Sequence, residues 1–265
     1  INGMGGIGKT ELALLVADRL CADYPDAQLF VKLEGTSATP LTPELALAAC
    51  IRAFVGAEAR LPVDLNELSN LYHSLLSGQR ALVLLDNAAN LAQVKPLIPP
   101  AGCVLLVTSR QPIALPGMER IRLDELAPTE ARELLLSLAA RITPELPELM
   151  DQICYLCGYL PLAIRAAGSL LAVTEDLDVA EYTAQLKDER KRLASIGEEG
   201  VEIGVEASFN LSYARLNEEA ARVFRGLCVF PGSFDARAEE AICEDTGHKH
   251  LSELVKRSLV LFEPT

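Results

Sequence analysis

The chain has 265 residues, a formal net charge of −13 at pH 7 and a hydrophobic content of 50%. This length exceeds the usual size of one compact core, so we expect two or three domains. The apolar residues lie in short blocks, none of which approaches the roughly 20 residues that span a bilayer. The acidic balance argues against broad binding of nucleic-acid phosphates. We therefore predict no membrane segment and no nucleic-acid partner for this chain.

Region 1–125 alternates strand-like and helix-like blocks, a pattern typical of a parallel sheet covered by helices on both faces. Thr42 and Gly56 delimit one predicted helix, and Asp64 and Gly78 delimit another, because these residue types favour helix ends. Two of the predicted strands contain continuous apolar runs, which favours the centre of the sheet. The predicted strands are 27–33, 80–86, 103–108 and 120–123.

After residue 125 the pattern becomes helical, and the last region leads into an apolar run at 259–262 that is strand-like. Helices that end in such a run indicate a winged helix. The predicted helices are 129–141, 147–157, 162–172, 179–193, 209–213, 217–227, 236–243 and 251–257. We therefore predict an α/β domain over 1–125, an all-α helical domain over 126–200 and a partial winged-helix domain over 201–265.

A glycine-rich motif with the P-loop pattern G-x-x-x-x-G-K-T lies at the start of the chain. Its glycines let backbone N–H groups turn inward around phosphate oxygens, and the following helix directs its positive dipole end at them. Lys9 is expected to reach the β- and γ-phosphates, and Thr10 to ligate Mg²⁺. The alternative is a simple glycine-rich turn before a helix. The predicted nucleotide-binding residues here are Gly3, Met4, Gly5, Gly6, Ile7, Gly8, Lys9, Thr10 and Glu11.

Polar residues follow both apolar strands. Asp86 comes directly after the run Leu-Val-Leu-Leu at 82–85, and it is the candidate Walker B acid that acts with Thr10 at Mg²⁺. An ordinary turn aspartate is the alternative. Arg110 follows the strand at 103–108 and is a candidate sensor of the γ-phosphate, with a surface arginine as its alternative.

Asn87 occupies the position after Asp86, where many P-loop ATPases carry the acid that takes a proton from the attacking water. An amide orients water but does not accept its proton at neutral pH. We therefore expect slow ATP hydrolysis.

The helical region contains two local features. Gly158 and Pro161 end one helix and begin the next, which by local chemistry predicts only a helix–helix corner. Cys154 and Cys157 form a CxxC pair, but zinc binding needs four ligands, so these are expected to be core thiols. The seven scattered cysteines and the lack of a secretory signal at the start of the chain favour the cytoplasm.

Taken together, four segments resemble the ordered motifs of the NB-ARC domain. This domain is the nucleotide switch of STAND-class signalling ATPases, which include apoptosome proteins, plant disease-resistance proteins and bacterial regulators. Segments 212–216 and 227–234 are similar to the family's winged-helix opening, so the resemblance covers nearly the whole chain, and its details are most similar to bacterial members. The four segments are Gly-Met-Gly-Gly-Ile-Gly-Lys-Thr at 3–10, Leu-Leu-Asp-Asn at 84–87, Val-Thr-Ser-Arg at 107–110 and Gly-Tyr-Leu-Pro-Leu-Ala at 158–163.

The resemblance implies a cofactor, a site and partners. ADP or ATP with Mg²⁺ is the implied cofactor, Arg110 the implied sensor of the γ-phosphate, and Pro161 with Leu162 the implied contacts of the adenine. The family's winged helix closes over bound ADP, and exchange for ATP releases it and allows self-association. An effector domain upstream and sensor repeats downstream are implied for the whole protein.

Two other functions remain open at this point. The winged helix could read DNA in a transcription regulator that carries an ATPase module, although 206–263 holds more acids than bases. The other hypothesis is a motor-type ATPase with rapid turnover.

Overall fold

A computed structural model of the chain describes residues 1–115, 117–139, 147–195, 203–230 and 232–262. The contacts group the chain into two units, Ile1–Asp124 and Glu125–Thr265. The predicted boundary between a helical and a winged-helix domain, after residue 200, falls outside the described residues and stays a prediction. Among the described residues, no helix combines the length and the apolar character needed to cross a membrane.

The first unit is built on a parallel sheet of three strands in the order β1-β2-β3. The strands are β1 Ala27–Lys32, β2 Ala81–Ala88 and β3 Val104–Ser109. This confirms the predicted α/β class and the central position of the run at 82–85, which lies in β2. The predicted central position of the run at 104–107 was wrong: it lies in β3, an edge strand that among the described residues meets, beyond β2, only an isolated bridge from Asn2 to Ser109. The register between β2 and β3 shifts between Leu85 and Ala88, at the end of the strand that carries Asp86.

Residues 120–123 do not form a strand, so the prediction of a fourth strand there was wrong. Asn2 lies between Ser109 and Arg122 and makes an isolated parallel bridge to each of them. Its N–H donates to the Ile121 carbonyl at 2.9 Å, and its carbonyl accepts from the Leu123 N–H at 2.8 Å. Because Asn2 is the one residue in the described start of the chain that pairs with 120–123, the contact is an isolated bridge and not a strand.

Helices cover both faces of the sheet. Leu82 and Leu84 of β2 pack with α1 on one face, while Val83 and Leu85 pack on the other face into the cluster formed with α2 and α3. This two-sided burial is the physical reason for the continuous apolar run. The helices of this unit are α1 Lys9–Leu20, α2 Pro43–Val55, α3 Leu65–Leu76 and the short α4 Leu91–Val94.

The predicted helix ends of α2 and α3 are confirmed. Thr42 Oγ1 accepts from the Leu45 N–H at 3.4 Å, and Asp64 Oδ1 accepts from the Asn66 and Glu67 N–H groups at 2.9 and 3.1 Å. Gly56 ends α2 with φ of 95°, a backbone conformation that glycine adopts without strain.

The second unit is helical. In it α7 packs against α5 and α9, α8 packs against α6 and α9, and α10 packs against α11 and α12. Its helix α9 is longer than the helix predicted at 209–213. The last two residues of the helix predicted at 129–141 lie outside the described residues. The helices are α5 Pro128–Leu138, α6 Pro147–Leu156, α7 Pro161–Val173, α8 Val179–Ser195, α9 Ile203–Ala214, α10 Glu218–Gly226, α11 Ala236–Cys243 and α12 Lys249–Lys256.

The apolar run at 259–262 does not form the predicted strand. The N–H groups of Leu259 and Val260 instead donate to the Leu254 carbonyl of α12, at 3.0 and 3.3 Å. These N–H groups are therefore engaged in closing the helix rather than in a ladder, and the two side chains pack on the cluster around Val223 and Leu254.

Candidate nucleotide-binding site

The glycine-rich loop runs from the Asn2 bridge directly into α1. Gly6 and Gly8 have φ of 72° and 95°, left-handed conformations that favour glycine. A Cβ on Gly3 would lie 2.6 Å from the Leu123 carbonyl oxygen, so no larger residue fits there. Gly8 precedes α1 and provides no side-chain cap for its first turn. The N-terminus of α1 therefore presents N–H groups that suit an anion, as a phosphate-binding loop requires.

Lys9 is the first residue of α1, and its side chain folds back over the loop. Its Nζ donates to the Met4 carbonyl at 2.6 Å. This places a positive charge beside the loop whose N–H groups are expected to bind phosphate. The predicted phosphate-binding residues thus form one local structure. Glu11, also in the predicted set, is an exposed residue of α1, and its contact with a nucleotide remains a prediction.

Asp86 and Thr10 are in direct contact. Asp86 lies in β2 and is 7% exposed, and its Oδ1 accepts from the Thr10 hydroxyl at 2.7 Å. A second hydroxyl, that of Thr108 in β3, donates to the same oxygen at 2.6 Å. The predicted pair of Mg²⁺ residues is therefore brought together. A threonine hydroxyl and a carboxylate are oxygen ligands of the kind that Mg²⁺ prefers beside substrate phosphates, so the residues present fit the ion.

Asn87 lies at the register shift, where the backbone leaves the regular strand. Its φ is 55°, a left-handed conformation for which asparagine is enriched. The Asn87 N–H donates to Thr108 Oγ1 at 2.8 Å, and its Nδ2 donates to Thr36 Oγ1 at 3.1 Å. The bond to Thr36 fixes the orientation of the amide, whose oxygen is the atom that can accept from water.

The loop after β1 presses against this position. The Gly35 N–H donates to the Asn87 carbonyl at 2.6 Å. The buried Gln93 secures the loop: its Nε2 donates to the Leu33 and Leu41 carbonyls, both at 2.7 Å, and its Oε1 accepts from the Ala89 N–H at 2.8 Å. Sequence reasoning missed Thr36, Gly35 and Gln93. A glycine directly after a predicted strand was the one local signal of a close backbone approach.

Arg110 is the first residue after β3, and it is exposed. It therefore lies at the carboxyl edge of the same sheet as Asp86, directly after β3, the strand next to β2. Its contact with a γ-phosphate remains a prediction.

Pro161 and Leu162 are the first residues of α7 in the second unit. Gly158 and Tyr159 before them have φ of 63° and 54°, and the Tyr159 N–H donates to the Cys154 carbonyl at 3.0 Å. The segment thus forms the helix–helix corner expected from its local chemistry, and its contact with adenine remains a prediction.

The CxxC pair lies in the core of the helical unit. Cys154 and Cys157 are both free and buried. Burial raises the pKa of the Cys154 thiol to about 11 and that of the Cys157 thiol to about 12. Both thiols are therefore protonated at neutral pH, as expected for core residues.

Comparisons with known proteins identify the family that shares this fold and these motifs. The chain is 42% identical over 236 residues to the regulatory protein AfsR of Streptomyces coelicolor, covering 88% of the chain and 24% of that protein. It is 26% identical over 298 residues to a probable disease resistance protein of Arabidopsis thaliana, covering 99% of the chain and 34% of that protein. The chain is an NB-ARC-type domain of the STAND class.

A solved structure supports the NB-ARC-type fold. The STAND protein with a tetratricopeptide-repeat sensor from Pyrococcus horikoshii matches with a TM-score of 0.53 and 19% identity, over 97% of the chain and 36% of that protein. No protein-family model matches the sequence. The NB-ARC-type domain spans about a quarter to a third of the length of these proteins.

Proposed function

We propose that this NB-ARC-type domain binds ADP or ATP with Mg²⁺ and serves as a nucleotide-dependent switch in a larger cytoplasmic signalling protein. The observation that carries the proposal is the 2.7 Å hydrogen bond from the Thr10 hydroxyl to Asp86. It joins the residue after the P-loop lysine to the acid at the end of an inner strand, which is the arrangement that holds nucleotide-bound Mg²⁺. Lys9 and the loop N–H groups would hold the phosphates, and Mg²⁺ would neutralise their charge.

The residue beside Asp86 argues for slow turnover. The Asn87 amide orients water through its oxygen but does not take a proton, so general-base help worth roughly 10²- to 10⁴-fold is missing at this position. In this proposal Arg110 senses the γ-phosphate from the end of β3. A bound nucleotide then persists long enough to define a state of the domain.

In the proposed switch, ADP favours a closed arrangement and ATP an open one that self-associates. A ligand shifts such an equilibrium only by its difference in affinity for the two states, so contacts with the γ-phosphate must differ between them. Pro161 and Leu162 are the proposed adenine contacts from the helical unit. The much longer relatives, named as a regulatory protein, a disease resistance protein and a STAND protein with a repeat sensor, support an effector region and sensor repeats outside this chain.

Nucleotide content after purification tests the proposal. The protein is denatured, and the released nucleotide is separated by ion-exchange chromatography. We expect ADP, or ADP binding with Mg²⁺ by calorimetry when the protein is emptied first. A protein that binds neither ADP nor ATP at millimolar Mg²⁺ would rule out the function.

The switch itself needs a second measurement. Size-exclusion chromatography with light scattering is run with ADP and with a non-hydrolysable ATP analogue, and we expect a larger species with the analogue. An identical species in both nucleotides, or ATP turnover well above about one per second, would contradict the switch while leaving nucleotide binding intact.

A further inference from the structure

The Thr108 hydroxyl lies at the centre of a chain of hydrogen bonds that joins the Asp86 carboxylate to the backbone of Asn87. Its Oγ1 is 2.6 Å from Asp86 Oδ1 and 2.8 Å from the Asn87 nitrogen. The side chain is 1% exposed, so water does not compete for these bonds. Thr108 therefore has a fixed pair of partners.

The direction of both bonds follows from the chemistry of the partners. The Asn87 N–H is only a donor, so Thr108 Oγ1 accepts from it. The Thr108 hydrogen is then free to be donated to Asp86, whose ionised carboxylate only accepts. A hydrogen bond to a charged carboxylate is short and strong, in agreement with the 2.6 Å distance.

The two hydroxyls that reach Asp86 converge on one of its oxygens. Thr10 Oγ1 and Thr108 Oγ1 both donate to Oδ1, from α1 and from β3. Neither of them engages Oδ2. The carboxylate is thereby held through Oδ1, which leaves Oδ2 without a hydrogen bond from either threonine.

We propose that Thr108 is a positioning residue for Mg²⁺: it orients the Asp86 carboxylate so that Asp86 and Thr10 together accept the ion of a bound Mg²⁺–nucleotide. This inference rests on the proposed function. Residues that orient the direct metal ligands by hydrogen bonds typically change metal affinity 10- to 100-fold when they are replaced. Thr108 acts on the ion through Asp86 and not by contact with the nucleotide.

β3 also provides a matched control for Thr108. Ser109, the next residue, is 3% exposed, and its hydroxyl donates to the Ala88 carbonyl at 2.7 Å. Like Thr108, Ser109 thus has a buried hydroxyl in β3. This hydroxyl donates to the backbone of β2 at Ala88 and not to the Asp86 carboxylate. Removing it tests the general cost of losing a buried hydrogen bond at this place.

The experiment measures the affinity of a fluorescent ADP analogue in EDTA and across a range of free Mg²⁺. The variants are Thr108→Val, which keeps the shape but not the hydroxyl, Thr108→Ala, Thr108→Ser and Ser109→Ala. In Thr108→Val, we expect the Mg²⁺ concentration that gives half of the full increase in affinity for the ADP analogue to rise about tenfold or more. The affinity for the analogue in EDTA should not change. Thr108→Ser restores the hydroxyl and should behave as the wild type, as should Ser109→Ala.

Thermal melting of each nucleotide-free variant shows whether it is folded, and Thr108→Ala replaces Thr108→Val if the latter is not. A wild-type Mg²⁺ midpoint in the folded variant would overturn the inference, as would an equal shift in Ser109→Ala. Loss of binding in EDTA as well would also overturn it, because Thr108 would then have a purely structural role. A wild-type protein that binds no nucleotide would instead overturn the proposed function.

Discussion

Thr10 Oγ1 and Asp86 Oδ1 are 2.7 Å apart, although 76 positions separate the two residues in the chain. Thr10 belongs to the first turn of α1 and Asp86 to the carboxyl end of β2, and α1 packs against both β2 and β3. The hydrogen bond between them is made by protein groups alone, so the fold itself brings together the two oxygens that would hold Mg²⁺. Preorganised ligands lower the free-energy cost of ordering side chains on binding.

Replacement of Lys9 tests the phosphate end of the site. We expect Lys9→Met to weaken ADP binding by about tenfold to a hundredfold, since a hydrogen bond to a charged group contributes about 1.5–3 kcal/mol. Calorimetric titration with ADP and Mg²⁺ gives the affinity. Lys32→Met is the control, because Lys32 is exposed with its Nζ 5.8 Å from the centre of the Phe30 ring. Equal affinities in the two variants would remove Lys9 from the site.

Asn87 is the position at which hydrolysis can be increased. Aspartate tolerates the left-handed conformation at φ of 55°, and Thr36 can donate to its carboxylate. We expect Asn87→Asp to raise ATP turnover, at most by the roughly 10²- to 10⁴-fold of a general base. Phosphate release under saturating ATP measures the rate. Asn87→Gly, which keeps the backbone but lacks a polar side chain, should not exceed the wild type, and an increase there would show that the carboxylate is not the cause.

Gly35 is predicted to be essential for stability. A Cβ at this position would lie 2.5 Å from the Asn87 carbonyl oxygen and would also collide with the Ala89 nitrogen. Because both are backbone atoms, they move only with the chain. We expect Gly35→Ala to lower the free energy of unfolding by about 3 kcal/mol, the upper part of the range for overpacking, as measured by urea titration.

The control for Gly35 is Gly232→Ala. A Cβ there meets nothing within 4 Å, so the change should stay within about 0.5 kcal/mol. Similar free energies of unfolding for the two variants would mean that the loop after β1 is not held against Asn87.

The second unit should lose stability at alkaline pH through His248. Its Nδ1 lies 2.9 Å from Oε2 of the fully buried Glu239. This hydrogen bond, with smaller effects of Glu240 and Asp245, raises the pKa of His248 above 6.5. The pKa of His248 is higher in the folded state than in the unfolded state. The His248–Glu239 pair therefore stabilises the fold fully below pH 6.5, and this stabilisation is lost as the pH rises through the folded-state pKa.

Urea titrations at pH 6 and pH 9 compare the wild type with His248→Asn. Asparagine suits the left-handed backbone at this residue, where φ is 56°. We expect the wild type to lose more stability than the variant between the two pH values. Parallel losses would show that the His248–Glu239 pair does not contribute.

The glycine-rich loop and the strands β2 and β3 of the candidate nucleotide site could be predicted from local sequence. The glycines and Lys9 form a motif of eight consecutive positions, 3–10, and each member acts through its own backbone or charge. The helix starts at Thr42 and Asp64 were equally local, because a cap bonds N–H groups two or three residues ahead.

The predicted strands at 120–123 and 259–262 show the limit of the local pattern. Both have strand-like composition, but a strand forms only where a neighbouring backbone offers a ladder. Among the residues that the structure describes, 120–123 pair with Asn2 alone, and the N–H groups of Leu259 and Val260 bind the end of α12. Which backbone is available depends on the whole fold.

The sequence by itself determined that the chain has parallel apolar strands at 82–85 and 104–107, a glycine-rich loop with the P-loop pattern and an amide beside Asp86, since these depend on residue type and short spacing. Only the tertiary structure decided that Thr10 and Thr108 share one oxygen of Asp86 and that Thr36 holds the Asn87 amide. Those contacts span 76, 22 and 51 positions of sequence. They arise because the parallel strands bring their carboxyl ends to one edge of the sheet and because α1 packs against β2 and β3, neither of which a local pattern specifies.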